Sequence, residues 1–107
     1  MILDNGYAVL VAHRRMYDFD VARFFLGRAI AGEGPLLKAE GYTFVRDLSN
    51  AHIVKKKEKR VKVLSLDSPG YIVYELPGDV DIDATSITSS NGEDILQCGA
   101  RHLMNLS

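Results

Sequence analysis

The chain has 107 residues, 47% of them hydrophobic, which suits one domain with its own core and excludes a disordered chain. Its single cysteine, Cys98, excludes an intrachain disulfide and fits a reducing compartment. The formal net charge of −1 conceals a division, because residues 1–66 carry +5 and residues 67–107 carry −6.

The first residues, "MILDNGYAVLVA", have Asp4 where a signal peptide would carry positive charge, and their apolar run is short and broken. No membrane-spanning run follows, so a soluble, cytoplasmic protein with no membrane partner is expected. Gly6 to His13 is β-rich, with Tyr7, Val9 and Val11 suited to a pleated surface. "RRMYDFD" then reads as a loop or one helical turn.

The stretch from Asp20 to Asp47 admits two readings. As a helix, Val21, Phe24, Phe25 and Arg28 would share a face; Arg28 breaks that stripe and Gly27 costs roughly 1 kcal/mol against Ala. As strands, Phe24, Leu26 and Ile30 take one face with Arg28 as the exception, while Arg23, Phe25, Gly27, Ala29 and Ala31 take the other. Gly32-Glu33-Gly34-Pro35 makes the turn. Tyr42 to Val45 follows as four strong strand formers, with Gly41 placed for a bulge or sharp bend. A bent hairpin accounts for the small residues, and strands are expected.

Leu48 to His52 reads as a loop, and Lys55 to Arg60, "KKKEKR", as a solvated hairpin tip or edge. "VKVLSL" and "GYIVYELP" alternate in polarity around Asp67-Ser68-Pro69 and read as a buried hairpin ended by Pro77-Gly78. "DVDID" alternates polar and apolar residues. "SITSSNGEDILQC" is a hairpin on Asn91-Gly92, pairing Ile87 with Leu96 and Thr85 with Cys98. "ARHLMNL" is a last strand or one helical turn.

About seven short strands spaced by turn signals predict an all-β fold, a small and strongly bent β-barrel or sandwich. A single domain is expected over 1–107, with a barrel core at about 6–77 and a C-terminal hairpin extension at about 79–107.

The segments "FFLGRAIAGEGPLLKAEGYTFVRD" and "VKVLSLDSPGYIVYELPGDV" together resemble the two motifs of the Sm-like (LSm) family, in rhythm and down to Leu76-Pro77. The similarity covers about half the chain. It implies a small bent-sheet barrel and a homo-oligomer, with a ring as the family's usual form. Strands 61–66 and 71–76 would then pair between subunits through Val61, Val63, Leu64, Tyr71, Val73 and Tyr74. The chain also departs from the family. Gly32-Glu33-Gly34-Pro35 offers neither the stacking ring nor the amide of members that bind uridine-rich RNA, and Asp67-Ser68-Pro69-Gly70 has an acid where the family has Arg-Gly. The family's N-terminal helix is missing, and the residues after Pro77 exceed a minimal core.

Five Lys/Arg within Lys55–Arg60 (Lys55, Lys56, Lys57, Lys59 and Arg60) suffice for several phosphate contacts, with Arg14 and Arg15 as further candidates. No aromatic lies among the five, so binding would read sequence weakly. The simpler account, a charged strand tip guarding an edge, is preferred from sequence. Asp79, Asp81 and Asp83 imitate the start of a calcium loop, but Ala84 stands where Gly is required and Ser90 where Glu is required. His13, His52 and His102 lack zinc spacing, and Cys98 lacks an activating motif. A ligand pocket lined by Tyr42, Tyr71 and Tyr74 rests on the presence of rings alone. The expectation is a non-enzymatic, self-associating β domain without a cofactor, or alternatively a nucleic-acid-binding module using the basic loop.

Overall fold

A computed structural model describes residues 6–13, 23–47, 52–90 and 92–106, with Tyr71 and Ser90 placed by their backbones alone. Arg14, Arg15 and the rest of "RRMYDFD" lie outside the described residues. The fold is all-β, as the alternation predicts. Its strands are β1 (Ala8–His13), β2 (Arg23–Glu33), β3 (Leu36–Arg46), β4 (Ile53–Lys55), β5 (Arg60–Ser65), β6 (Tyr71–Glu75), β7 (Thr85–Ser90), β8 (Glu93–Cys98) and β9 (Arg101–Asn105). They form two antiparallel sheets. The first runs β4-β3-β2-β1-β6, with β5 also on β3, and the second runs β7-β8-β9.

The stretch from Arg23 to Arg46 is a hairpin of two eleven-residue strands around Gly34-Pro35. Gly34 has φ 56°, the left-handed conformation that two-residue hairpin turns ask of glycine. Gly27 faces Gly41 across the ladder. A Cβ on Gly41 would lie 1.9 Å from the Leu26 carbonyl oxygen and 2.5 Å from the Gly27 Cα, so only glycine lets the two backbones approach this closely. A register shift between Ala29 and Ala31 adds a bulge, which increases local twist. The bend therefore sits where the small residues are.

Bending gives the first sheet an inner and an outer face. Val9, Val11, Phe25, Ala29, Leu37, Ala39 and Leu64 pack together on the inner face. On the outer face Ala8, Leu10, Leu26, Phe44 and Ile53 pack against Leu76, Val80, Ile82, Ile87 and Leu96 of the C-terminal region. This double burial explains why Ala8 to Val11 form an unbroken apolar run, all fully buried.

Three expectations are corrected. The sheet does not close into a barrel. Strands 61–66 and 71–76 do not pair as a hairpin: β5 joins β3 and β6 joins β1, so they are opposite margins of the bent sheet. A period-two pattern identifies a strand but not its partner, and the nearest strand in sequence was the wrong choice. Of the two readings of the basic run, edge holds and hairpin tip does not. β4 and β5 lie end to end along one edge of β3, and residues 56–59 are the break between them, held by a bond from the Lys56 N–H to the Thr43 carbonyl at 2.8 Å. Asp79 to Asp83 lies outside the strands, and Val80 and Ile82 are buried as the alternation implies.

The C-terminal hairpin pairs as predicted, Ile87 with Leu96 and Thr85 with Cys98, and β9 extends it to three strands. Its turn uses Gly92 at φ 79°. Among the described residues no helix is long and apolar enough to cross a membrane.

Gly41→Ala should destabilise the fold by about 3 kcal/mol, the upper range for forced overpacking, because the clash is with backbone that cannot rotate away. Gly78→Ala, with nothing within 4 Å, should be close to neutral. Urea midpoints of the two variants check this.

Candidate anion-binding site

The cations of the first half divide between the two faces of the first sheet. Arg28, Arg46 and Lys55 serve the outer face, where they tie down the C-terminal region. The Lys55 ammonium donates to the carbonyls of Ile82 (3.2 Å), Asp83 (3.0 Å) and Thr85 (2.9 Å), and lies 4.3 Å from the Tyr42 ring centroid. Burial lowers its pKa, against the pull of Asp83 and Asp81. The Arg28 guanidinium donates to the carbonyls of Gly6, Gly78 and Val80. Arg46 pairs with Asp94 at 2.7 Å. Burial alone would raise Asp94, but the Ser89 hydroxyl and Arg46 outweigh it and hold the carboxyl below its usual range.

Lys59 is also engaged, 3.4 Å from Asp83 and 3.9 Å from Glu40. Hydrogen bonds from Tyr42 and Lys59 hold Asp83 low. Asp79 pairs with Arg101 at 3.0 Å, and the Asp81 carboxylate accepts the Asp83 N–H at 3.0 Å. The three acids of "DVDID" are thus committed to protein partners. Much of the charge division along the chain is settled within the molecule, as basic outer-face residues meet acids and carbonyls of the second half.

Apart from Lys38, exposed on β3, the remaining described cations converge elsewhere. Register places His13, Arg23, Thr43, Val45, Arg60 and Lys62 on the inner face, continuing the row that holds Val11, Phe25, Ala39 and Leu64. At this end the inner face opens as a cleft of about 570 Å³, joined by Lys56, Lys57 and Glu58 from the β4–β5 break. Its floor holds half-buried His13, Thr43, Val45 and Lys62, and its rim holds exposed Arg23, Lys56, Lys57, Glu58 and Arg60. Among the described lining residues Glu58 is the one acid, 2.8 Å from Arg60.

The floor carries the imprint of this crowding. Burial and the neighbouring Arg23 and Arg60 lower the Lys62 pKa. Burial, Lys62 and Arg23 likewise hold His13 below 6.5. The Lys62 ammonium sits 5.0 Å from the centroid of the buried Phe25 ring, whose face attracts a cation. Positive charge gathered in a cleft focuses its field outward and recruits anions.

Of the predicted basic residues, then, Lys56, Lys57 and Arg60 line the cleft, whereas Lys55 and Lys59 face the C-terminal region. Charge counting along the run missed His13, Arg23 and Lys62. A signal for two of them existed: Arg23 shares the face of Phe25, and Lys62 alternates in step with Leu64 and Leu66.

The predicted interface residues divide as well. Leu64 is 4% exposed and belongs to the inner core, and Val73 packs against that core. Val61 and Val63 on β5 are 49% and 63% exposed, and Tyr74 on β6 is 37% exposed. Tyr71 lies opposite His13 by its backbone. Tyr42 and Tyr74 are separated by β1 and β2, so these two do not share a pocket.

An anion in the cleft relieves the repulsion that disfavours protonated His13, so binding takes up a proton. Sulfate, whose own charge is constant, should therefore bind more tightly as pH falls from about 8 to about 6, and His13→Gln should flatten the trend. Without ligand the sign for stability is opposite. The unfolded chain binds the proton more readily than the depressed native His13, so stability contributed above pH 6.5 is lost as pH falls below it. Melting temperature against pH, with and without sulfate, reads both effects. No family model, curated protein or solved structure matches the chain, so its own residues alone bear on its function.

Proposed function

We propose that this domain is a non-enzymatic binding module for single-stranded nucleic acid, held through phosphates and reading bases weakly. The observation that carries this reading is the inner-face cleft, where Arg23, Lys56, Lys57, Arg60 and Lys62 converge and Glu58 is the one acid among the described lining residues. A cleft inside a bent sheet suits a flexible strand better than a rigid duplex. No Phe, Tyr or Trp is among its described lining residues, so stacking contributes little and phosphate contacts dominate.

About four engaged cations should give log Kd against log salt a slope of magnitude about 3. Replacing Lys56, Lys57 and Lys62 with Gln should remove most of the affinity. Lys55→Met should leave affinity unchanged while costing about 2 kcal/mol of stability, because it removes the ammonium's bonds to three carbonyls on the opposite face. Salt-independent binding, or an equal loss of affinity from Lys55→Met, would refute the assignment.

A second reading, self-association, is supported by the two sheet margins. Among the described residues β5 and β6 each pair on one side only, and they expose Val61, Val63, Ile72 and Tyr74. Pairing of β5 with β6 of another copy would cover both margins, as the Sm-like resemblance implies. Light scattering should then give a multiple of the 11.9 kDa chain mass that Val63→Lys reduces. A wild-type monomer at high concentration would exclude it.

A further inference from the structure

The cleft is graded in depth, and the grading bears on which phosphate it takes. Arg23, Lys56, Lys57 and Arg60 stand exposed at the rim, whereas Lys62 and His13 are half-buried below them. The floor is closed from beneath by the inner core, since Phe25 and Val11 are fully buried. Thr43, opposite Phe25 on the same face, adds a hydroxyl at that level.

A phosphodiester within a strand has one negative charge and a sugar on each side. To bring it to the floor, both flanks would have to fold down between the rim side chains. A terminal phosphomonoester has one substituent, three free oxygens and about −1.5 to −2 charge at pH 7. It can enter end-on, and its second charge favours protonation of the recessed His13 near Lys62. The volume, about 570 Å³, falls within the span of small-ligand pockets, roughly 300–1,000 Å³.

We infer that Lys62, His13 and Thr43 form a subsite for the terminal phosphate of a nucleic-acid strand, with the rim cations following the adjoining phosphodiesters. This inference rests on the nucleic-acid reading above and sharpens it. The cleft is then an end-binding site, and a strand without a terminal phosphate engages the rim alone.

The test is fluorescence anisotropy on the full chain with one short single strand in three forms: 5′-phosphate, 3′-phosphate and hydroxyl at both ends. At least one phosphorylated form should bind about tenfold more tightly than the hydroxyl form. Lys62→Met should erase that preference while retaining rim-level binding, and Lys62→Arg should restore it. Lys56→Gln should weaken all three forms alike. Equal affinity of wild-type protein for all three would overturn the subsite and leave the nucleic-acid reading standing. Absence of binding to every form at low salt would overturn both.

Discussion

Gly41 lies so close to the backbone of β2 that a single added carbon would overlap the Leu26 carbonyl, and the rest of the molecule follows from that approach. Two long strands can bend sharply together only where neither carries a side chain between the backbones. With Gly27 opposite Gly41 and the Ala29–Ala31 bulge a few residues on, the β2–β3 hairpin acquires its curvature. The curved sheet then has an interior, filled by Val9, Val11, Phe25, Leu37 and Leu64, and a convex exterior that needs a cover. The C-terminal sheet supplies that cover through Val80, Ile82, Ile87 and Leu96.

The outer layer is seated by shape and by charge. Apolar packing contributes most, being non-directional and proportional to area. The polar contacts choose the position. Lys55 reaches three carbonyls, Arg28 reaches three more, and Arg46 meets Asp94, each from a different strand of the first sheet. These bonds absorb Lys55, a cation that sequence alone would assign to a ligand. Apart from exposed Lys38, the described cations left over gather where the inner core ends and Val11, Phe25, Ala39 and Leu64 give way to His13, Arg23, Arg60 and Lys62. The same register that builds the core thus builds the cleft floor, with Arg23, Arg60 and Lys62 held on strands and Lys56 and Lys57 added from the β4–β5 break.

How much of this was legible varied with the range of the interaction. The β7–β8 hairpin was readable residue for residue, because a tight Asn-Gly turn sets register locally. The bent β2–β3 hairpin was readable from its glycines and alanines, and Arg28, an exception to its apolar face, proved to be the residue that ties Gly78 and Val80 to that face. The partners of β5 and β6 were not readable. Both are short alternating strands, and each joins a strand far away in sequence. The basic run was legible as charge but not as direction. Lys55 and Lys56 are adjacent, but Lys55 ends β4 on the outer face and Lys56 begins the break, so one became a fastening and the other part of the cleft.

Taken alone, the sequence determined what local physics controls: an all-β chain, the tight turns, the site of the bend, the hairpin at Gly92 and the apolar alternation of most strands. Side-chain period and turn chemistry act over a few residues, so they can be read in order along the chain. Only the tertiary structure decided which strands became margins, which face of the first sheet was covered, and which cations met one another. Those outcomes depend on pairings between residues tens of positions apart, chosen by the fit of two faces. Lys62 shows the difference. Its place in an alternating strand was evident, but Arg23, His13 and Arg60 became its neighbours only when the sheet curved and brought β1, β2 and β5 to one opening.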